Sequence, residues 1–410
     1  MTISGGLETR VLDKGRGRPV PVGGRDQPAL SVMLLSFTPG VRGGADRSLL
    51  LLVEGLVRSG WRPLLVVPAG GQMQEEAARM GARVEVLDLV HFRGCRTRDF
   101  AKGLWQLRRV CVENHVDLIH CNAWPALQWV VPVRATLRVP VVCHFRERPS
   151  PKRGWVHLLN RSDRIIAVSS ASRDDLIHAG VKGARVAVIH NAVDLSRYDG
   201  AGADPCEGHG HGHGAVVGMA SRLSGWKGHG FFLKAAAQVV QAFPHAEFPI
   251  AGAPVRGEEA YAAELVALAG RLGLERRVRF VGHQEDIVPF MKSLDVLVLT
   301  SDREPFGRVL IEAMAAAKPV VAFHGGGVGE VVDHGSTGVL VPPGDIEGLA
   351  RAIRMLLADR ALAQAMGTRG RAKVERCFTA EVHVDRIQRL YRSVAGVEAG
   401  RSDPRDGTDL

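Results

Sequence analysis

The stretch Ser301-Asp302-Arg303-Glu304-Pro305-Phe306-Gly307-Arg308-Val309-Leu310-Ile311-Glu312-Ala313-Met314-Ala315 decides how the rest of the chain reads. It follows Asp295-Val-Leu-Val-Leu-Thr300, a short apolar run suited to a buried parallel strand. After it, Leu310, Met314 and Ala317 fall at helical spacing. Glu304 is thereby placed in a strand-to-helix loop and Glu312 about two turns into the helix, so that two carboxylates span the junction. The backbone amides of Phe306, Gly307, Arg308 and Val309 fall at the helix N-terminus, where unpaired N–H groups and the helix dipole favour a phosphate. Gly307 lets the backbone approach such a ligand closely.

The flanking sequence extends the same rhythm in both directions. At 410 residues the chain exceeds the ~250–300 at which single cores stop growing, so two domains are expected. Toward the N-terminus, apolar strands are predicted near 30–36, 64–67, 83–87, 117–120, 140–144, 164–168 and 185–189, with helices between them. From Ala215-Val-Val-Gly-Met219 a second α/β unit begins, with strands near 247–251, 278–281, 295–299, 319–322 and 338–341. Strands alternating with helices mean parallel sheets of Rossmann type, two of them facing across a cleft. The expected boundaries are a disordered lead-in over 1–28, a first domain over 29–198, a Gly/His linker over 199–214 and a second domain over 215–378. A C-terminal helix over 379–396 can cross back to the first domain, and a tail occupies 397–410. Helices of 307–317 and 359–371 belong to this scheme. His209, His211 and His213 alternate with glycine in the linker, a pattern that fixes no metal geometry, and no metal site is expected.

Composition narrows the class. The chain is 46% hydrophobic and 23% charged, ordinary for a globular protein. It contains no run of about 18 apolar residues that would span a membrane and no secretory leader. Six scattered cysteines, Cys95, Cys111, Cys121, Cys143, Cys206 and Cys377, read as reduced thiols in a cytoplasmic protein. Residues 1–200 carry 29 Lys/Arg against 18 Asp/Glu, and residues 201–410 carry 24 against 25, so the first half holds the whole net charge of +10. That imbalance suits an anionic partner, read here as a membrane surface at the inner face or an acidic acceptor rather than nucleic acid. The glycine-rich turn Thr38-Pro-Gly-Val-Arg-Gly-Gly-Ala-Asp46, between a first strand and a first helix, is a phosphate cradle but lacks the GxGxxG fingerprint of a dinucleotide site.

A Glu, seven residues and a second Glu, with Phe-Gly after the first, resembles the signature of retaining family 4 glycosyltransferases of the GT-B fold. Four further pieces match that family in its order: Gly43-Gly44-Ala45-Asp46, with Asp46 where Glu is common; His144 at the end of Pro140-Val-Val-Cys-His; Asn191-Ala-Val-Asp194; and Ser221-Arg222-Leu-Ser-Gly-Trp-Lys227-Gly228. Gly325-Gly-Gly-Val-Gly-Glu330 and Gly335-Ser-Thr-Gly338 match the glycine turns that follow the two-glutamate motif. His120-Cys121-Asn122 departs from the family's His-x-His, which affects the acceptor side. The resemblance implies transfer of a sugar from a nucleoside-diphosphate sugar to a hydroxyl of a carbohydrate or lipid-linked acceptor, in polysaccharide or glycolipid synthesis. It implies that Arg222 and Lys227 stabilise the departing diphosphate in place of a metal, with no cofactor beyond the donor substrate. Glu304 would hold the donor sugar, Glu312 the ribose, His144 would lie beside the reacting centre, and amides of Gly43, Gly44 and 306–309 would meet the phosphates. An epimerase or sugar phosphorylase on the same plan, and a non-catalytic sugar-nucleotide-binding protein, are the alternatives.

Overall fold

The computed structural model describes residues 29–41, 43–89, 97–148, 154–200, 214–254 and 257–397. The lead-in over 1–28, the linker histidines and nearly all of the tail lie outside the described residues. Seven strands, β1 (Ser31–Leu35), β2 (Arg62–Val67), β3 (Arg83–Val86), β4 (Leu118–Cys121), β5 (Val141–Phe145), β6 (Arg164–Ala167) and β7 (Val186–Val188), form one sheet in the order β3-β2-β1-β4-β5-β6-β7. Six more, β8 (Val217–Ala220), β9 (Phe248–Ala251), β10 (Val278–Gly282), β11 (Val296–Leu299), β12 (Val320–Phe323) and β13 (Gly338–Val341), form a second in the order β10-β9-β8-β11-β12-β13. The ladders of both sheets are parallel, as in β1 with β4 and β11 with β8. This is the doubly wound α/β plan read from the sequence, built twice.

The central strands, such as β1, β8, β11 and β12, are apolar because helices cover both faces of each sheet, whereas the outer strands β3 and β10 carry charged, exposed positions. Period-two alternation sorts their side chains: Met33, Leu35, Ile119, Cys121, Val141 and Cys143 pack with Trp129 on one face of the first sheet. Val32, Leu34, Leu118 and Val142 pack on the other with Leu49, Leu52 and Leu56 of the helix Gly44–Arg58 and with Tyr391 of the helix Ala380–Ala395. The last helix thus completes the first domain's core. A Cβ on Gly55 would sit 2.4 Å from a Val384 methyl, so the two helices meet at a glycine. The chain enters that helix by pairing with the first domain: Val193 N donates to Phe378 O and Ala380 N to Val193 O, at 3.0 and 3.1 Å.

Three local expectations change. The helix after the two-glutamate loop is Arg308–Ala315, so Ala317 lies beyond it with a φ of 55°. Gly307, at φ 85°, starts the helix at Arg308, and Glu312 stands one turn into it rather than two. The helix Arg360–Cys377 continues past 371, and Gly367 and Gly370 within it serve packing: Cβ atoms at these positions would sit 1.9 Å from Ala317 O and 3.1 Å from Met314 Cγ.

Candidate functional site

In each sheet the strand order reverses between two neighbours, β1 and β4 in the first and β8 and β11 in the second. Connections leave such a pair toward opposite faces and open a crevice at the carboxyl ends of the strands. The Gly43-Gly44 turn follows β1, the Arg222–Lys227 loop follows β8, and the two-glutamate loop follows β11. Three of the motifs picked out by sequence therefore sit at the two reversals.

The structure brings them into contact. Arg308 Nη1 donates to Gly44 O at 3.1 Å and to Ser48 Oγ at 2.7 Å, reaching from the second domain to the first. A Cβ on Gly44 would stand 3.1 Å from Arg308 Cδ, which makes the approach one for glycine. Arg308 Nε also donates to Glu312 Oε1 at 2.8 Å, so the charge whose direction sequence leaves open turns back onto the helix's own carboxylate. Lys227 Nζ donates to Glu304 Oε2 at 2.6 Å, and both side chains are nearly buried. Burial pushes the Lys227 ammonium below its ordinary range, against the pull of Glu304. The ammonium also lies 3.9 Å from the Trp226 ring centre, so that face of the site is aromatic. Arg222 is exposed, and its side chain has no hydrogen-bond or ion-pair partner among the described residues. It stands near enough to Lys227 to lower that lysine's proton affinity. Two cations, one unpaired among the described residues and one with N–H groups to spare, thus stand on the loop after β8, with Lys227 against the Glu304 loop that leads to the amides of Gly307, Arg308 and Val309.

The supporting loops explain why Glu304 is so placed. Gly327 N donates to Glu304 O at 2.8 Å, and Gly326, at φ 61°, lies where a Cβ would strike that carbonyl. Ser169 Oγ, from the first domain, donates to Pro305 O at 2.6 Å. Glu330 accepts from the amides of Ser170 and Ala171 at 2.9 and 3.1 Å and pairs with His190 Nε2 at 3.0 Å. Burial opposes its ionisation, but His190 and the two amides prevail and hold Glu330 below the usual carboxylate range. Phe306 contributes only its backbone to the cleft, since its ring stacks on His190 and meets Phe378 edge-on within the core.

His144 is placed differently from the other sequence-derived residues. Its ring is fully buried, on the face of the first sheet that His120, His383 and Tyr391 share. Its Nδ1 accepts from Arg146 Nη2 at 3.0 Å, and its Nε2 has no partner among the described residues. Arg146, two residues on and so on the same face of the strand line, extends beyond β5 and binds Asn191 Oδ1. Ser48 Oγ reaches the same Asn191 oxygen at 3.4 Å. Sequence reasoning passed over Arg146; its signal was the alternation from His144 across the strand end.

The model for glycosyl transferases group 1 matches residues 209–373, and that for Glycosyltransferase Family 4 matches residues 42–197. A D-inositol 3-phosphate glycosyltransferase of Streptomyces avermitilis is 31% identical over 335 residues, covering 72% of this chain and 71% of that protein. The chain belongs to the family 4, group 1 glycosyltransferases. The structure of Anabaena HepE in complex with UDP-glucose superposes on this glycosyltransferase with a TM-score of 0.79 at 30% identity, over 89% of this chain and 100% of that one. The glycogen synthase of Mycobacterium tuberculosis is 29% identical over 279 residues, a match spanning 64% of the chain and 65% of that synthase. The two family matches divide between the two sheets, and Gly44, Lys227, Glu304, Arg308 and Glu312 are the motif residues that meet between them.

Proposed function

We propose that this glycosyltransferase moves a sugar from a nucleoside-diphosphate sugar to a hydroxyl with retention at the anomeric carbon. The observation that carries the reading is the convergence of Lys227, Glu304, Arg308, Glu312 and Gly44 from the reversal points of both sheets. Amides at the start of the helix Arg308–Ala315 receive the diphosphate, and Arg222 and Lys227 offset the charge that grows on it as the bond to the sugar breaks. The acceptor oxygen takes the anomeric carbon from the face the phosphate leaves, and its proton passes to the departing phosphate oxygen. Glu312 holds the ribose hydroxyls and Glu304 a hydroxyl of the sugar. The UDP-glucose complex of HepE supports uridine as the base. Charge neutralisation by Arg222 and Lys227 assigns no step to a divalent ion, so transfer should persist in EDTA.

The acceptor is read as a carbohydrate or lipid-linked hydroxyl, with the enzyme on the cytoplasmic side of a membrane. No helix of the described residues is long and apolar enough to cross a bilayer. The helix Thr97–Glu113 exposes Trp105 among Arg98, Lys102, Arg108 and Arg109, a face suited to anionic headgroups. Liposome sedimentation at low salt that leaves the protein in the supernatant would remove the membrane part.

The activity is tested by a thermal-shift panel of nucleoside diphosphates and their sugars, because a ligand that binds only the folded form raises its melting point. Proton NMR of the transferred sugar then reads the anomeric configuration. Inverted product refutes retention, and turnover of the donor to an epimer without acceptor refutes transfer as the main reaction.

A further inference from the structure

Arg146 stands out among the cations of the cleft by what it lacks. Lys227, Arg308, Arg148 and Arg303 each hold a carboxylate, on Glu304, Glu312, Asp302 and Asp175, and Arg222 is exposed to solvent. Arg146 is half-buried and forms no ion pair among the described residues. Its partners are neutral, His144 Nδ1 and Asn191 Oδ1, and among the described residues its buried Nε has no partner and no carboxylate pairs with it. Arg308 stands close by, since Ser48 takes a bond from Arg308 and gives one to Asn191, the residue that Arg146 binds. Burial, with the repulsion of Arg308 behind it and against the weaker pull of Tyr391 and Asp46, pushes the Arg146 guanidinium down to about 9.

A guanidinium largely withdrawn from water is offset by a paired anion and a filled set of acceptors; here Asp46 attracts it without forming an ion pair, and its Nε is left unfilled. We propose that Arg146 receives an anionic group, a carboxylate or a phosphate, that the substrate carries in addition to its diphosphate. A planar fork with an unused donor suits either oxyanion. The diphosphate itself is assigned to Arg222, Lys227 and the amides after β11, all on the second sheet. Arg146 follows β5, two strands along the first sheet from the Gly44 turn after β1, roughly 10 Å at ~4.8 Å per strand. The charged group therefore sits on the donor's sugar or on the acceptor. This rests on the nucleotide-sugar reading above and adds a substrate class to it: an acidic sugar or an acidic acceptor.

Isothermal titration of the full chain with UDP and with GDP first establishes which nucleotide binds. One arm then compares UDP-glucose with UDP-glucuronate, or the matching guanosine pair. The other saturates the protein with nucleotide and compares glycerol with glycerol 3-phosphate and inorganic phosphate. One arm should favour the anion by about tenfold or more, the scale of a charge-assisted hydrogen bond. R146Q should abolish that preference, R146K should keep part of it, and both should bind the bare nucleotide as the wild type does. Preference in the first arm places the charge on the donor sugar, and in the second on the acceptor. The proposal is overturned if neither arm discriminates, if R146Q still discriminates, or if R146Q weakens the bare nucleotide by a similar factor, which would make Arg146 a diphosphate ligand. Should R146Q not fold, R146K decides, since a weaker fork on an unchanged charge must still cut the preference. A wild type that binds no nucleoside diphosphate refutes the nucleotide-sugar reading itself, whereas nucleotide binding without anion preference refutes only the role of Arg146.

Discussion

Lys227 and Glu312 are the residues whose neighbours most constrain what substitution will do. Lys227 to Ala removes a nearly buried ammonium and strands the Glu304 carboxylate. By comparison with deletion of a donor aimed at developing charge, transition-state stabilisation should fall by about 2.7–4 kcal/mol, a loss of about 10²–10³ in kcat. Steady-state kinetics with the identified donor reads this, and K227A retaining wild-type turnover would remove the diphosphate role. Glu312 to Gln keeps the side chain's size but gives up the charge that holds Arg308 Nε, and the other carboxylate oxygen, which has no partner among the described residues, is where a ribose hydroxyl would bind. Donor KM should rise about tenfold to a hundredfold with kcat much less changed, the pattern of lost uniform binding. An equal fall in kcat with KM unmoved would instead place Glu312 at the reacting centre. The positions of these residues were legible because the glutamates and the Arg222–Lys227 pair each lie within one short loop, so that spacing put them at strand ends; their roles rest on the family resemblance and on the tests above. Arg146 was not legible, because its meaning depends on Arg308, Ser48 and Asn191, which only the fold brings to it.

At the scale of the element, the loop after β8 is stitched to the end of β11, and Gly228 is the stitch. Its φ of 73° is left-handed, and a Cβ there would sit 2.1 Å from Thr300 O. Thr300 Oγ1 donates to Lys227 O at 3.1 Å and Gly228 O at 2.9 Å, while Asp302 N donates to Trp226 O at 2.9 Å. Gly228 to Ala should therefore push the two loops apart, costing about 1–3 kcal/mol of stability in a denaturant melt. It should also cost about 10²-fold in kcat, the effect of roughly 1 Å of misplacement of Lys227. Lost stability with undiminished turnover would show that the stitch holds the fold and not the lysine. The alternation of strands and helices was readable because fully covered parallel strands are plain apolar runs. Helix ends were less readable: the helix Arg360–Cys377 runs past 371, and the packing that Gly367 and Gly370 serve against Ala317 and Met314 is visible only in the fold.

At the scale of the molecule, the helix Ala380–Ala395 ties the end of the second domain's chain to the first domain's core, and buried histidines line the seam. Tyr391 OH and His120 Nδ1 are 2.8 Å apart, His383 Nδ1 donates to His190 O at 2.6 Å, and the rings of His144 and His383 lie 6.1 Å apart. Burial pushes His120 and His383 down to about 3 and His144 well below its ordinary 6.5; the charge of Arg146 adds to the shift in all three, and those of Arg308 and Arg386 act on His383 as well. The folded protein thus holds these rings neutral, while the unfolded chain protonates them near pH 6.5. Because the unfolded state binds more protons between about pH 6.5 and 3, stability is complete above that window and falls as pH drops into it. The slope is ~1.4 kcal/mol per pH unit for each proton taken up on unfolding. Melting temperature should hold steady from pH 8 to 7 and decline from 6.5 to 5, and His383 to Gln should flatten that decline by about one proton even if it lowers stability at every pH. Acid-induced loss should begin at the seam, so amide exchange across the helix Ala380–Ala395 should quicken at pH 5 before that of β8 or β11 does. If the acid slope is unchanged in H383Q, or the last helix stays as protected as the central strands, the histidine seam is not what loosens the last helix in acid.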